Sequence, residues 1–171
     1  MAGQREDKYV NVATLRIDQT VINTLTFEEL TMGIAIFEKK AILIQRIEYD
    51  FFAGGVQELV GAADRLSAGI AISDQIDALT LADSLVIDKV AWFINTYGVA
   101  ANAELITQPI IRDFSYLKGG GLLLPSRPIY GVVNSGGFVA VTGVYIKFYF
   151  TIVDLKPEDY WELVESRRII V

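Results

Sequence analysis

The sequence predicts an antiparallel all-β protein, a sandwich or a barrel, and three observations carry that prediction. The first is the segment VAVTGVYIKFYFTIVDL (139–155). From Gly143 onward, Val144, Ile146, Phe148, Phe150 and Ile152 hold one parity, and Tyr145, Lys147, Tyr149, Thr151 and Val153 hold the other. Alternation with period two over about ten residues describes a strand with one face in a core, roughly 33 Å long at ~3.3 Å per residue. The second is a series of shorter alternating segments at irregular spacing, divided by polar and Gly-rich turns. The third is the scarcity of helical spacing, which is firm only at the C-terminal end.

Residues 9–18 and 20–29 read as strands separated by Gln19, and in the second Val21, Leu25 and Phe27 share a face with Asn23. The Thr26-x-x-Glu29 spacing also fits a capping box, so a short helix over 30–37 is the competing reading there. AILIQRIEYDFF (41–52) is a strand with Leu43, Ile47, Tyr49 and Phe51 on one parity and Arg46, Glu48 and Asp50 on the other. Residues 53–64 form a loop with one helical turn, and 65–73 a strand alternating through Leu66, Ala68, Ile70 and Ile72. A polar connection, 74–84, follows. LVIDKVAWFINTYG (85–98) fits a helix face through Val86, Val90 and Phe93 or a strand through Val90, Trp92 and Ile94. The reading adopted is a helical start over 83–89 feeding a strand over 90–97. PIIRDFSYL (109–117) is a strand, KGGGLLLPSRP (118–128) a loop or edge, and IYGVVNSGG (129–137) a strand ending in a turn that favours positive φ. Last, Pro157 opens a helix with Glu158 and Asp159 in its first turn and Arg167 and Arg168 near its end, which suits the macrodipole. The count is eight or nine strands.

Composition narrows the function classes. Hydrophobic residues make up 52% of the 171 against 21% charged, and the mean hydropathy is +0.37, which is apolar for a soluble monomer. The surplus calls for burial against partner subunits. The length fits one domain, 1–171. No run reaches the roughly 18 apolar residues of a membrane-spanning helix, and the first ten residues have mixed charge and no apolar h-region, so no signal peptide is expected. There is no Cys and no His. Disulfides, thiolate catalysis, His-dependent triads and histidine-ligated metals are thereby excluded. An enzyme here would work with carboxylates, Lys, Tyr or an external cofactor. The net charge of −6 opposes phosphate neutralisation over the whole surface.

Several clusters invite chemical readings. Asp74, Asp77 and Asp83 crowd one loop, and clustered oxygens suit Ca²⁺, although the spacing is not that of an EF-hand. Two facing carboxylates would serve glycoside hydrolysis, but no pair stands out among 21 acidic residues. Gly119-Gly120-Gly121 follows Lys118, whereas a phosphate loop needs its Lys after the glycines and at a helix start. Ser135 has no histidine to activate it and reads as a turn residue. Tyr145, Lys147 and Tyr149 interleave aromatics with a base, the pattern of a nucleic-acid stacking platform. A lone stripe of this kind in an acidic chain more often packs under a helix or a neighbouring subunit. Tyr160 and Trp161 on the C-terminal helix form its docking face or an intersubunit anchor.

The order of these parts resembles the single jelly-roll capsid proteins of icosahedral viruses. The likeness rests on the early strands NVATLRID and NTLTFEE, the inner strand AILIQRIEYDFF, the long strand after a Gly-rich turn, and the trailing helix in LKPEDYWELVESRR. It is closer to the small major capsid proteins of tailless, membrane-containing prokaryotic viruses than to the coats of small RNA viruses, whose basic N-terminal arm is missing here. The resemblance implies an eight-stranded jelly-roll sandwich with a short C-terminal helix. It also implies a structural subunit without catalysis or cofactor, assembled in the host cytoplasm into a virion, often beside a second capsid protein and over an internal membrane, with no specific nucleic-acid contact. Tyr145, Tyr149, Tyr160 and Trp161 are the expected intersubunit contacts. The rival readings are a carbohydrate-binding β-sandwich module, with Trp92 or Trp161 exposed, and a carboxylate enzyme with two facing acids in a cleft.

Overall fold

Two antiparallel sheets form a sandwich in a computed structural model of the chain, which describes residues 9–30, 40–53, 64–94, 108–125, 127–138 and 141–168. The strands are β1 (Asn11–Asp18), β2 (Leu25–Leu30), β3 (Lys40–Ala53), β4 (Asp64–Ala71), β5 (Val86–Ile94), β6 (Ile110–Asp113), β7 (Leu122–Pro125), β8 (Ile129–Gly136) and β9 (Thr142–Asp154), followed by helix α1 (Pro157–Arg168). One sheet runs β1-β9-β3-β6, with β7 also on β3; the other runs β2-β8-β4-β5. The pairings are nested. Strand β4 pairs with β5, β3 with β6 and β7, β2 with β8, and β1 with β9. A long ribbon paired in this way and rolled up, so that β3 meets β9 and β4 meets β8, is a jelly roll.

Nine strands stand where eight were expected. The strand between β5 and β8 is split into β6 and β7 by the excursion 114–121, and both pieces pair with β3. Opposite the split, β3 carries a bulge: Ile44 pairs with Phe150 and Arg46 with Tyr149, so Gln45 is the extra residue. The Gln45 carbonyl accepts the Phe114 N–H at 2.8 Å, which ties the excursion to the bulge.

The bulge flips the parity of β3. Ile47, Tyr49 and Phe51 face the core as the alternation predicts, but so do Ile42 and Ile44, while Leu43 faces outward. Strand β9 follows. Val144, Ile146, Phe148 and Phe150 are buried between the sheets, and Thr151 and Val153 are buried as well, on the other face. Outside that face lies α1, whose Tyr160 and Val164, four residues apart on one helix side, close over Ala41, Leu43, Val153 and Leu155. The apolar residues on both parities of 41–44 are therefore accounted for within the chain. A third cluster, Ala71, Ile76, Leu79, Val86 and Val132, covers part of the outer face of the second sheet under the 72–85 connection.

Three local expectations are corrected. Residues 86–94 are strand from the start, because Ala68–Val90 and Leu66–Trp92 pairing places Val90 and Trp92 at the core; the expected helical start over 83–89 is a turn at 83–85 and the first residues of β5. β2 begins only at Leu25, since Asn23 takes φ 57° in a turn, and Val21 is exposed. Leu122–Pro125, read as loop or edge, pairs with Ala41–Ile44 as β7. The competing helix over 30–37 and the helical turn in 53–64 fall mostly outside the described residues.

Candidate interaction surface and buried polar sites

Half of the outer face of the five-stranded sheet is left open by α1, and strand register sets its chemistry. Across β1, β9, β3 and β6, one row reads Val12, Tyr149, Arg46, Asp113. The next reads Thr14, Lys147, Glu48, Ile111, and the third Arg16, Tyr145, Asp50. Gly143 belongs to a fourth row with Asp18 and Phe52. A Cβ on Gly143 would stand 2.7 Å from the Ile17 carbonyl oxygen and overlap the Phe52 ring. Without it, Phe52 lies across the strand and meets Tyr145 with centroids 4.5 Å apart. Arg16 sits over both rings, at 5.0 Å from Phe52 and 5.7 Å from Tyr145, and Arg46 lies 5.3 Å from the Tyr149 ring.

Both arginines on this face are already paired. Arg16 donates from Nε to Asp18 Oδ2 at 2.8 Å and from Nη2 to Asp18 Oδ1 at 3.1 Å, which raises the Arg16 pKa from its ordinary value. Arg46 pairs with Glu48. The result is a nearly neutral face of Tyr, Phe and Arg beside exposed Val12 and Ile111, a composition enriched in protein–protein interfaces.

Of the four expected contact residues, Tyr145 and Tyr149 lie half-buried on this face, away from α1. Tyr160 is buried in the cluster beneath α1, and Trp161 is 57% exposed, edge-on to Tyr160 at 5.8 Å. The C-terminal helix thus covers Leu43 and Val153, not the two tyrosines of β9.

A second constellation was not anticipated. Asp88 on β5 is buried between the sheets; its Oδ2 accepts from the Tyr49 hydroxyl of β3 at 3.0 Å. Arg112 on β6 donates to the same carboxylate from Nη2 at 3.0 Å and from Nε at 3.2 Å. Burial, reinforced by the adjacent Asp88 charge, pushes the Tyr49 hydroxyl well above the usual tyrosine range. The hydrogen bond to Asp88 raises the Arg112 pKa. Asp88 is the one buried carboxylate among the described residues, and it faces a cation and a phenol, not a second acid. Its parity with Val90 and Trp92 in a strand reading of 86–94 was the signal available in the sequence.

The remaining clusters are structural. Ser135 is buried, donating to Gln19 Oε1 at 2.9 Å and accepting from Asn23 N at 3.2 Å. Thr142 Oγ1 donates to the same Gln19 oxygen at 2.9 Å, so the β1–β2 and β8–β9 turns are knitted together. Asp83 Oδ1 accepts from the Leu85 N–H at 2.9 Å, Asp74 accepts from Gln75, and Asp77 is exposed. Among the described residues no group of three acids is placed to hold a metal ion. Gly119 and Gly120 take φ 98° and 80° in the turn before β7. No helix of the described residues is long and apolar enough to cross a membrane. Compared with family models and with curated proteins, the chain matches none.

Proposed function

We propose that the chain is a structural subunit without catalysis, a virion capsid protein that assembles with copies of itself into an icosahedral shell. The observation that carries this reading is the open half of the β1-β9-β3-β6 face. It is charge-balanced and aromatic, and it adjoins a half that the chain seals with its own helix. A face of near-zero net charge meets an identical face with little net repulsion, and Tyr and Arg are enriched among the side chains that anchor such contacts. The jelly-roll winding agrees with the resemblance seen in the sequence, and fold alone does not define function. The same reading brings in a second capsid protein and an underlying membrane as partners.

Size-exclusion chromatography and negative-stain microscopy of the purified chain, across concentration and salt, test this proposal. Discrete oligomers or shells are expected; a strict monomer under all conditions contradicts it. The carbohydrate-module reading keeps one supporting feature, the exposed indole of Trp161; Trp92 is half-buried, 6.1 Å from Phe51. Quenching of tryptophan fluorescence by sugars in a monomeric protein would favour that module instead.

A further inference from the structure

β6 is attached to the sandwich more weakly than its neighbours. It pairs four residues with β3, on one edge only among the described residues, whereas β9 pairs with thirteen residues of β3 on the other edge. Ile111, Arg112 and Asp113 are exposed, and Ile110 is half-buried. Its apolar hold is confined to Ile110, packed against the core, and to Phe114 just past its end. Register adds one charged attachment from the strand itself. Arg112 lies opposite Ile47, whose side chain faces the core, so Arg112 takes the inward parity at the rim of the sandwich. From there it spans to Asp88 on the edge strand of the other sheet.

We infer that Arg112 and Asp88 form a latch that holds β6 as a detachable edge strand. With the latch closed, the buried carboxylate receives Tyr49 and two guanidinium N–H donors. With Arg112 gone, a carboxylate that is 4% exposed keeps only Tyr49, and water must enter to replace the guanidinium. Water reaches it by the departure of β6, since β3 stays anchored through β9. Release uncovers the backbone edge of β3 at Arg46–Tyr49, a short row of N–H and C=O groups open to strand addition. Charge complementarity also sets the register: a strand shifted by one residue would present Ile111 or Asp113 to Asp88. This device goes beyond the shell reading and does not depend on it.

Hydrogen exchange on the full chain tests the latch, comparing wild type with Arg112→Leu, Arg112→Lys and Asp88→Asn. Arg112→Leu is expected to lower protection about a hundredfold at 110–113 and at the facing amides of 46–49, while β1 and β9 stay within about threefold. Arg112→Lys, which keeps the charge but not the paired donors, should recover about a tenth of the lost protection or more. Asp88→Asn should fall between them. Unchanged protection of β6 in Arg112→Leu would overturn the inference. So would an equal loss in every strand, or failure of Arg112→Leu to fold with no rescue by Arg112→Lys, because the pair would then stabilise the whole sandwich and gate nothing.

Discussion

The outer face of the five-stranded sheet is two surfaces divided at Gln45. On one side of the bulge, Leu43, Val153 and Leu155 turn outward and are closed over by Tyr160 and Val164 of α1. On the other, β3 and β9 present Arg46, Tyr149, Lys147 and Tyr145 and β1 adds Arg16, with both arginines paired to carboxylates. One half is apolar and satisfied within the chain. The other is amphipathic and, among the described residues, uncovered. The difference teaches that apolar residues on both parities of a strand do not by themselves mark a subunit contact; here a single inserted residue and a helix explain them. The half that suits assembly is the one whose side chains are not apolar enough to need covering, yet are ordered by cation–aromatic stacking.

The largest expected effect comes from abolishing the division. Deleting Gln45 would make Ile42 and Ile44 exchange faces with Leu43 relative to Ile47, exposing two core residues, since a shift of one reverses every side chain. Loss of cooperative unfolding, followed by circular dichroism against temperature, is the predicted outcome. Next, Tyr160→Ala should destabilise the monomer by about 3 kcal/mol in urea unfolding, as for other large aromatic truncations in packed sites. A loss below about 1 kcal/mol would mean that α1 does not seal the sheet.

Alkaline pH probes the core beneath the open half. Tyr49 has its pKa raised in the folded state, so the folded protein binds a proton that the unfolded chain releases above about pH 10. Its contribution to stability is fully present below that pH and is lost as pH rises beyond it. Tyr49→Phe should flatten the alkaline fall in stability, and ultraviolet titration of the native protein should show Tyr49 resisting ionisation. Tyr149→Ala is expected to have the smallest effect on the monomer, about 1 kcal/mol or less because its ring is half-open, while weakening self-association at least tenfold.

Much of this was legible in the chain. Val144, Ile146, Phe148 and Phe150 announced a core strand because one face is solvated, and Pro157, Glu158 and Asp159 announced α1. The bulge was hidden, because Ile42, Leu43 and Ile44 are all apolar and no phase change shows in such a run. β7 was missed for a related reason: a strand of four residues at a sheet edge carries too little alternation to separate it from loop, and the strand read over 109–117 pairs only at 110–113 for want of the same signal. Asp88 lay in LVIDKVAWFI beside Lys89, inside the helical start expected over 83–89, where nothing marked it as buried. Its partners, Tyr49 and Arg112, come from strands on the other sheet, and no spacing along the chain records that meeting. Tyr145 and Tyr149 were singled out from parity alone; register then added Arg16, Phe52 and Arg46 to them.

The most direct measurement is sedimentation equilibrium of the wild-type chain against the double variant Tyr145→Glu/Tyr149→Glu, with thermal unfolding of both as the control. The wild type should associate, and the variant should sediment as a monomer with a melting temperature close to the parent's. A wild type that remains monomeric, or a variant that associates as strongly as its parent, would contradict a subunit joined to its copies through this face.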